Sequence, residues 1–588
     1  LNGDSSVLLF NLKIFLKVPG TLLDFKALQY VRVPGTFTQK QRFSILLHEI
    51  CGMIEQYRKT ENAFAGGIVM KENYLGLPEY PRSYWIDSAE IPQFERLTSN
   101  EKFDIVVVGG GMTGITTAYL LSQEGMKVAI IESTRILNGT TGHTTAKITA
   151  QHNLIYDELI SHFGQKFAGH YYKANIHALQ FIKKVIEEHK LDCDFEEKDA
   201  VLYATTEKSV RKIEKEYQAY QQLNIPSELI DSLPFNAPIK KGIVMKKQAQ
   251  FHPLRYLLKL VELFLKNGGK IYEGTTAVSI MTESKTGEDF LTLETRDGNF
   301  LTCHKVMSCT HYPFYEGEGY YFMRMHPERS YIVAAKGNVK HLDGMYLSVD
   351  SPNRSVRTVN INGEPHLLLA GEGHKTGQGE PEMNHYEALK AFGEKVFQVT
   401  EFPYRWSAQD LYTQDNVPYI GPVSANETNI FVATGFRKWG MTGSTTAAAV
   451  LRDYALDKDT PEMEIFSTER FTADPSLKHF FKENWNVAVQ FMKGKLEHGR
   501  KTPAGVKHGE GGVVYVNGSR AGAYREEDGT LYCVDTTCTH MGCEVEWNNG
   551  DKTWDCPCHG SRFSYKGDVV EGPAKKGLRP IDPEDGLS

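Results

Sequence analysis

Apolar and polar positions alternate legibly in a few parts of this chain. Residues 103–108 (Phe-Asp-Ile-Val-Val-Val) read as a strand buried on both faces, 115–123 as an amphipathic helix, and 127–132 as a second strand. Far downstream, 513–516, 521–525 and 531–534 read as short strands, with Asn517-Gly518 and Asp528-Gly529 supplying the turns. Between the two regions, Asp474-Pro475 combines an N-cap with a first-turn proline and opens a helix. Its stripe of Leu477, Phe480, Phe481, Trp485, Ala488 and Met492 is expected to pack on the larger domain, with a membrane surface as the alternative partner. Residues 497–512 form a polar, glycine-containing linker. No helix or strand pattern develops before Met70. The longest apolar candidate, 7–16, is broken by Asn11 and Lys13, so no integral membrane segment is expected.

The first strand runs into Gly109-Gly-Gly111-Met-Thr-Gly114, and the second ends at Glu132. Strand, glycines, helix, strand and terminal acid make the full dinucleotide fingerprint. Gly109 permits the tight turn, Gly111 lets a pyrophosphate approach, and Gly114 lets helix and strand pack. The helix N-terminus faces the phosphates, and Glu132 is placed for the ribose hydroxyls. No second full fingerprint exists for a nicotinamide; Gly371-Glu-Gly373-His-Lys-Thr-Gly377 has the wrong spacing and reads as a loop over the substrate side.

Later residues separate FAD from NAD. Residues 406–421, Asn429–Gly435 and Trp439-Gly440-Met-Thr442-Gly443 resemble the C-terminal flavin signature of the D-amino-acid oxidase and glycine/sarcosine oxidase (DAO) family. The resemblance extends over about 103–466, including His252-Pro253, 276–280 around Val278, and Ser308-Cys-Thr-His311. It implies FAD, with a helix N-terminus at the flavin pyrimidine edge. Gly139-Thr140-Thr141-Gly142-His143-Thr-Thr-Ala-Lys147 falls where this family wraps the pyrophosphate and flavin ring. In one branch a histidine at the His143 position carries the flavin covalently; the alternative is a histidine that only hydrogen-bonds the cofactor. The resemblance implies oxidation of a C–H bond beside an amine. The substrate region is expected around 252–256 and 324–375, with Arg324, Arg329, Tyr331 and Arg354 as candidate contacts and no base assigned.

Near the C-terminus stands Cys538-Thr-His540, followed by Cys556-Pro-Cys558-His559. One Cys and one His from each half, in the same order, is the ligand pattern of a Rieske [2Fe–2S] cluster, with structural zinc as the alternative. About the last 80 residues resemble the Rieske proteins of cytochrome bc-type complexes. That resemblance implies that Cys543 and Cys558 pair as a disulfide. It also implies that Ser561 bonds a bridging sulfide, and that Gly572-Pro573-Ala574 closes over the site. Phe563 stands where high-potential members carry a tyrosine.

With 588 residues, 41% hydrophobic and 24% charged, the chain is long enough for several globular domains. A net charge of −7 gives no reason to expect nucleic acid as a partner. The expected class is α/β plus all-β: a Rossmann-type FAD-binding domain with an α+β substrate domain (70–467), a helical connector and linker (468–505), and a small antiparallel β Rieske domain (506–588). Residues 1–69 are expected to be a non-native or disordered extension, translated from DNA upstream of Met70, with a docking extension as the rival. The expected protein is a cytoplasmic bacterial dehydrogenase. It would act on a small amine or amino acid and pass electrons through the cluster to an unidentified acceptor. Two alternatives are a reductase module with electrons entering at the cluster, and an oxidase with a structural cluster.

Overall fold

The computed structural model describes residues 9–18, 21–30, 76–285, 288–337, 341–470, 473–496, 499 and 501–582. Leu9–Val18 and Thr21–Tyr30 pair as an antiparallel hairpin within a unit of their own, residues 1–73. This corrects the expectation that no strand precedes Met70: two apolar-rich runs flank Pro19-Gly20, a strong turn dipeptide.

The second unit contains everything from Tyr74 onward. Its six-stranded sheet has the order Lys270–Tyr272, Val128–Ile131, Ile105–Val108, Lys305–Ser308, Ile430–Thr434 and Tyr419–Pro422. All neighbours are parallel except the last pair. Ile105–Val108 and Val128–Ile131 are buried at every position, as strands covered on both faces must be. The helix Met112–Gln123 is buried along almost its whole length rather than amphipathic. It is wedged between helices Gly440–Ala455 and Pro253–Lys266, so no face meets water.

A nine-stranded mixed sheet forms the second layer. From its edge strand Val399–Thr413 it runs through Met325–Gly337, Glu364–Lys375, Arg354–Ile361, Gly344–Ser348, Glu196–Ala204 and Lys241–Gln250 to Lys147–Ile148, and the ninth strand, Ser227–Ile230, also pairs with Lys241–Gln250. The C-terminal region adds a three-stranded and a four-stranded antiparallel sheet. The helix Ala473–Leu496 reaches this region: Val487 and Phe491, an i,i+4 pair, pack on its core. Of the stripe expected from sequence, Trp485, Ala488 and Met492 are exposed, so its C-terminal half is not the packing face; the side chains of Leu477, Phe480 and Phe481 lie outside the described residues. Among the described residues no helix is long and apolar enough to cross a membrane.

Candidate active site and cluster site

A cavity of about 640 Å³ opens where the six-stranded sheet meets the nine-stranded one, within the range usual for cofactor sites. Gly109, Gly111, Glu132, Thr140, Thr141, His143 and Gly440 all line it. Gly109 has φ +106°, and a Cβ there would lie 2.5 Å from the Cys309 carbonyl oxygen, so only glycine fits. No side chain caps the N-terminus of Met112–Gln123, beyond the Thr141 hydroxyl that accepts from the Met112 amide at 3.0 Å. That leaves a helix end suited to a pyrophosphate. Glu132 accepts from the amides of Gly110 (2.8 Å) and Thr134 (2.9 Å), which fixes its carboxylate at the end of the second strand. His143 Nδ1 lies 2.9 Å from the Gly139 carbonyl, and burial holds its pKa below the usual imidazole value. The cradle fits FAD.

Three residues expected to bind the cofactor do not line the cavity. Gly114 sits behind it, where a Cβ would strike the Gly109 carbonyl; it serves helix–strand contact. Val278 gives its carbonyl to Lys575 Nζ at 3.2 Å, whereas Thr276 and Ala277 face the cavity. Thr442 points into the protein, donating to the Thr149 carbonyl at 3.0 Å, while Met441 and Ser444 line the cavity.

The substrate candidates also need correction. In Met325–Gly337 it is Ser330 and Ile332 that face the cavity, so the period of two turns Arg329 and Tyr331 to the other side of the sheet. Arg324 donates to backbone carbonyls, Arg354 pairs with Glu372 (2.7 Å), and His252 caps the helix Pro253–Lys266 while Tyr256 is buried in the core. Lys147 and Trp439, which fall in the segments assigned to the flavin, line the cavity, as do Ser355, Asp410, Arg437 and Lys438; none of the six is given a role of its own by the sequence. Burial lifts the Asp410 carboxyl to about 7, with Lys438 opposing and Glu328 and Glu571 adding to the rise.

In the C-terminal region, Cys538, Cys556, Cys558 and His559 are buried, and Cys543 and Cys558 are disulfide-bonded. The thiols of Cys538 and Cys556 face each other in hydrogen-bond contact, which lowers the Cys538 pKa. The His540 and His559 rings lie 5.0 Å apart, and Nδ1 of each is buried with no hydrogen-bond partner among the described residues. A pair of facing thiols and a pair of neighbouring imidazoles with unsatisfied nitrogens fit the Cys₂His₂ donor set of a Rieske cluster, two donors for each iron. Ser561 Oγ accepts from the Ala574 amide (3.0 Å), anchoring the proline loop and leaving its own proton to donate.

The C-terminal region is docked on the flavin-binding region through its histidine edge. The Tyr312 ring meets His540 edge-on at 6.1 Å, and Phe322 meets His559 at 5.9 Å. Val569–Lys575 forms part of the wall of the large cavity, as do Asp551, Thr553 and Arg562. Arg329, fully buried, bonds Asp551 at 2.9 Å and approaches Asp555 and Glu571 at 3.7 Å; Arg562 binds Asp551 (2.9 Å) and Asp555 (3.1 Å). Gln409 Nε2 donates to the Gly560 carbonyl and Gln378 Nε2 to Pro557, each at 2.9 Å.

A dinucleotide cradle roofed by a mixed sheet, with a Rieske site sealed against it, defines a flavin-dependent oxidoreductase that carries a [2Fe–2S] centre. The chain belongs to the FAD-dependent oxidoreductase (DAO) family, which residues 104–454 match, and residues 501–582 match the Rieske [2Fe-2S] domain. The Rieske 2Fe-2S iron-sulfur protein YhfW of Bacillus subtilis (strain 168) is 48% identical over 504 residues, covering 86% of this chain and 98% of that protein. Gamma-glutamylputrescine oxidoreductase of Escherichia coli (strain K12) is 21% identical, covering 69% of this chain and 93% of its own length. Among solved structures, glycine oxidase from Geobacillus kaustophilus superposes with a TM-score of 0.54 at 18% identity, covering 63% of this chain and 100% of that one.

Proposed function

We propose that this protein dehydrogenates a small amine or amino acid and delivers the electrons, one at a time, through its Rieske cluster to an external acceptor. FAD supplies the two-electron acceptor and the cluster the one-electron outlet. The observation that carries this reading is the shared wall: Val569–Lys575, the loop region closing the cluster site, also bounds the cavity that holds the glycine fingerprint. Tyr312 lines that cavity and at the same time abuts His540, so one side chain spans the two sites. The chain's own residues position the two groups, exclude water between them, and keep the outlet beside the source.

The relatives' chemistry supports an amine substrate: one is named for γ-glutamylputrescine and a fold neighbour for glycine. Anaerobic stopped-flow mixing of the holoenzyme with glycine, L-proline and γ-glutamylputrescine tests it. At least one amine is expected to bleach the flavin absorbance before the cluster loses its colour. Cluster bleaching first, or reduction by dithionite alone, would overturn the reading.

A further inference from the structure

Lys147 stands at the end of the glycine-threonine segment, on the short strand Lys147–Ile148 that closes the nine-stranded sheet. The sheet curls enough for its Nζ to reach a strand that is not its neighbour, donating to Ser355 Oγ at 2.6 Å. Its surface opens into the large cavity, beside Ser355, Leu347, Ile332 and Trp439. The Trp439 ring centroid lies 5.9 Å from Nζ, and Trp439 immediately precedes the helix Gly440–Ala455 of the flavin signature. Lys147 therefore meets the cavity beside the N-terminus of that helix, which the family resemblance sets at the flavin ring rather than at the pyrophosphate.

The charges around Lys147 are unusual. Among the described residues no carboxylate pairs with it; the charged groups facing it are Arg357 and Lys438, both cations. Arg357 is itself buried and donates only to the carbonyls of Thr145 and Thr358, with Glu196 as a more distant counter-charge. A lysine enclosed in protein and flanked by cations gives up its proton readily, first through lost hydration and then through repulsion. Those two causes bring Lys147 down to about 7.

We propose that Lys147 is the base that deprotonates the substrate ammonium. The inference rests on the amine-oxidising reading above. An ammonium nitrogen has no lone pair with which to form the C=N bond as the electron pair of the adjacent C–H bond departs. The neutral Nζ takes one proton: an N–H bond of the substrate breaks, an N–H bond forms on Lys147, and the positive charge moves from substrate to lysine. Ser355 Oγ, which now accepts from Nζ, stays in place to hold the lysine in line through the transfer.

Two measurements on the FAD-loaded full chain decide it. A pH titration of the flavin absorbance, with no substrate present and in an Asp410→Asn background that removes the other cavity group titrating near 7, is expected to show a transition near pH 7 that Lys147→Met and Lys147→Arg both abolish. The arginine variant guards against a folding defect, since it keeps the cation but cannot lose it. In the second measurement, flavin reduction by whichever panel amine is active is expected to fall about 100-fold at pH 7 in Lys147→Met. That deficit should shrink as pH approaches 10, where the amine deprotonates in solution. A transition that survives both substitutions, or a deficit constant with pH, overturns the proposal. If no panel amine reduces the wild type at any pH, the amine reading itself fails, and the proposal with it. That result is distinct from a wild type that is reduced with no dependence on Lys147.

Discussion

Phe563 is the side chain expected to tune the cluster. It is fully buried in the same core as Cys538 and Cys556, opposite Trp554 on the neighbouring strand. A phenyl ring offers no hydroxyl to a ligand sulfur, and hydrogen bonds to sulfur favour the reduced, more negative cluster. Phe563→Tyr is therefore expected to raise the midpoint potential, read by protein-film voltammetry, and an unchanged midpoint would overturn the assignment. The cluster residues were legible in the sequence because the donors of each half lie within a few positions of one another, so local spacing alone encodes the site. Lys147 was not, because its properties come from Ser355, Arg357 and Lys438, which tertiary folding brings to it. Arg329 was misread for a different reason. Its strand was recognised as substrate-side, but which parity of residues faces the cavity depends on a sheet register that the sequence does not print.

At the scale of elements, the edge strand Val399–Thr413 and the helix Glu382–Phe397 carry much of the docking of the Rieske domain. An exposed sheet edge invites unwanted pairing, and here Gln409 and Arg405 are engaged by the carbonyls of Gly560 and Gly550. Arg329 neutralises a group of buried acids, so Arg329→Ala leaves Arg562 as the one arginine among the described residues ion-paired with Asp551, Asp555 and Glu571 and is expected to cost about 3–5 kcal/mol, read by thermal or denaturant unfolding. Beside this network Glu382 is buried, and its carboxyl is raised to about 8 by lost hydration and by Asp555. A folded-state pKa above the unfolded one means that the folded protein keeps a proton the unfolded chain has lost. Stability from this group is then full below the ordinary carboxylate range, declines as pH rises, and levels off above about 8. Glu382→Gln is expected to flatten that decline in unfolding experiments from pH 5 to 9, and a decline identical to wild type would refute the role. The fingerprint strands and the three-stranded sheet were visible in sequence because each holds a short apolar stretch bounded by turn residues. The helix Met112–Gln123 was misjudged as amphipathic because its burial comes from two helices distant in the chain.

For the whole molecule the question is whether the Rieske domain acts as a tethered, moving carrier or a fixed one. A domain on a flexible linker meets its partner by diffusion, and transfer then scales inversely with solvent viscosity. Here the contact surface holds buried ion pairs at Arg329, side-chain-to-backbone bonds at Gln378, Arg405 and Gln409, and aromatic contacts on both cluster histidines. Separating the domains would strand Arg329 opposite no carboxylate and uncover one wall of the cavity. Such a cost is far larger than the thermal energy that moves a linker. The geometry therefore favours transfer within a standing complex, in which the effective concentration of the carrier is already at its limit. In anaerobic stopped flow, the phase in which the cluster bleaches is expected to keep its rate constant when sucrose raises the viscosity several-fold. In Arg329→Ala the same phase should slow and become viscosity-dependent, because docking must then be found anew in each turnover. A wild-type rate that falls in proportion to viscosity would mean that the docked arrangement is one stop on a moving domain's path.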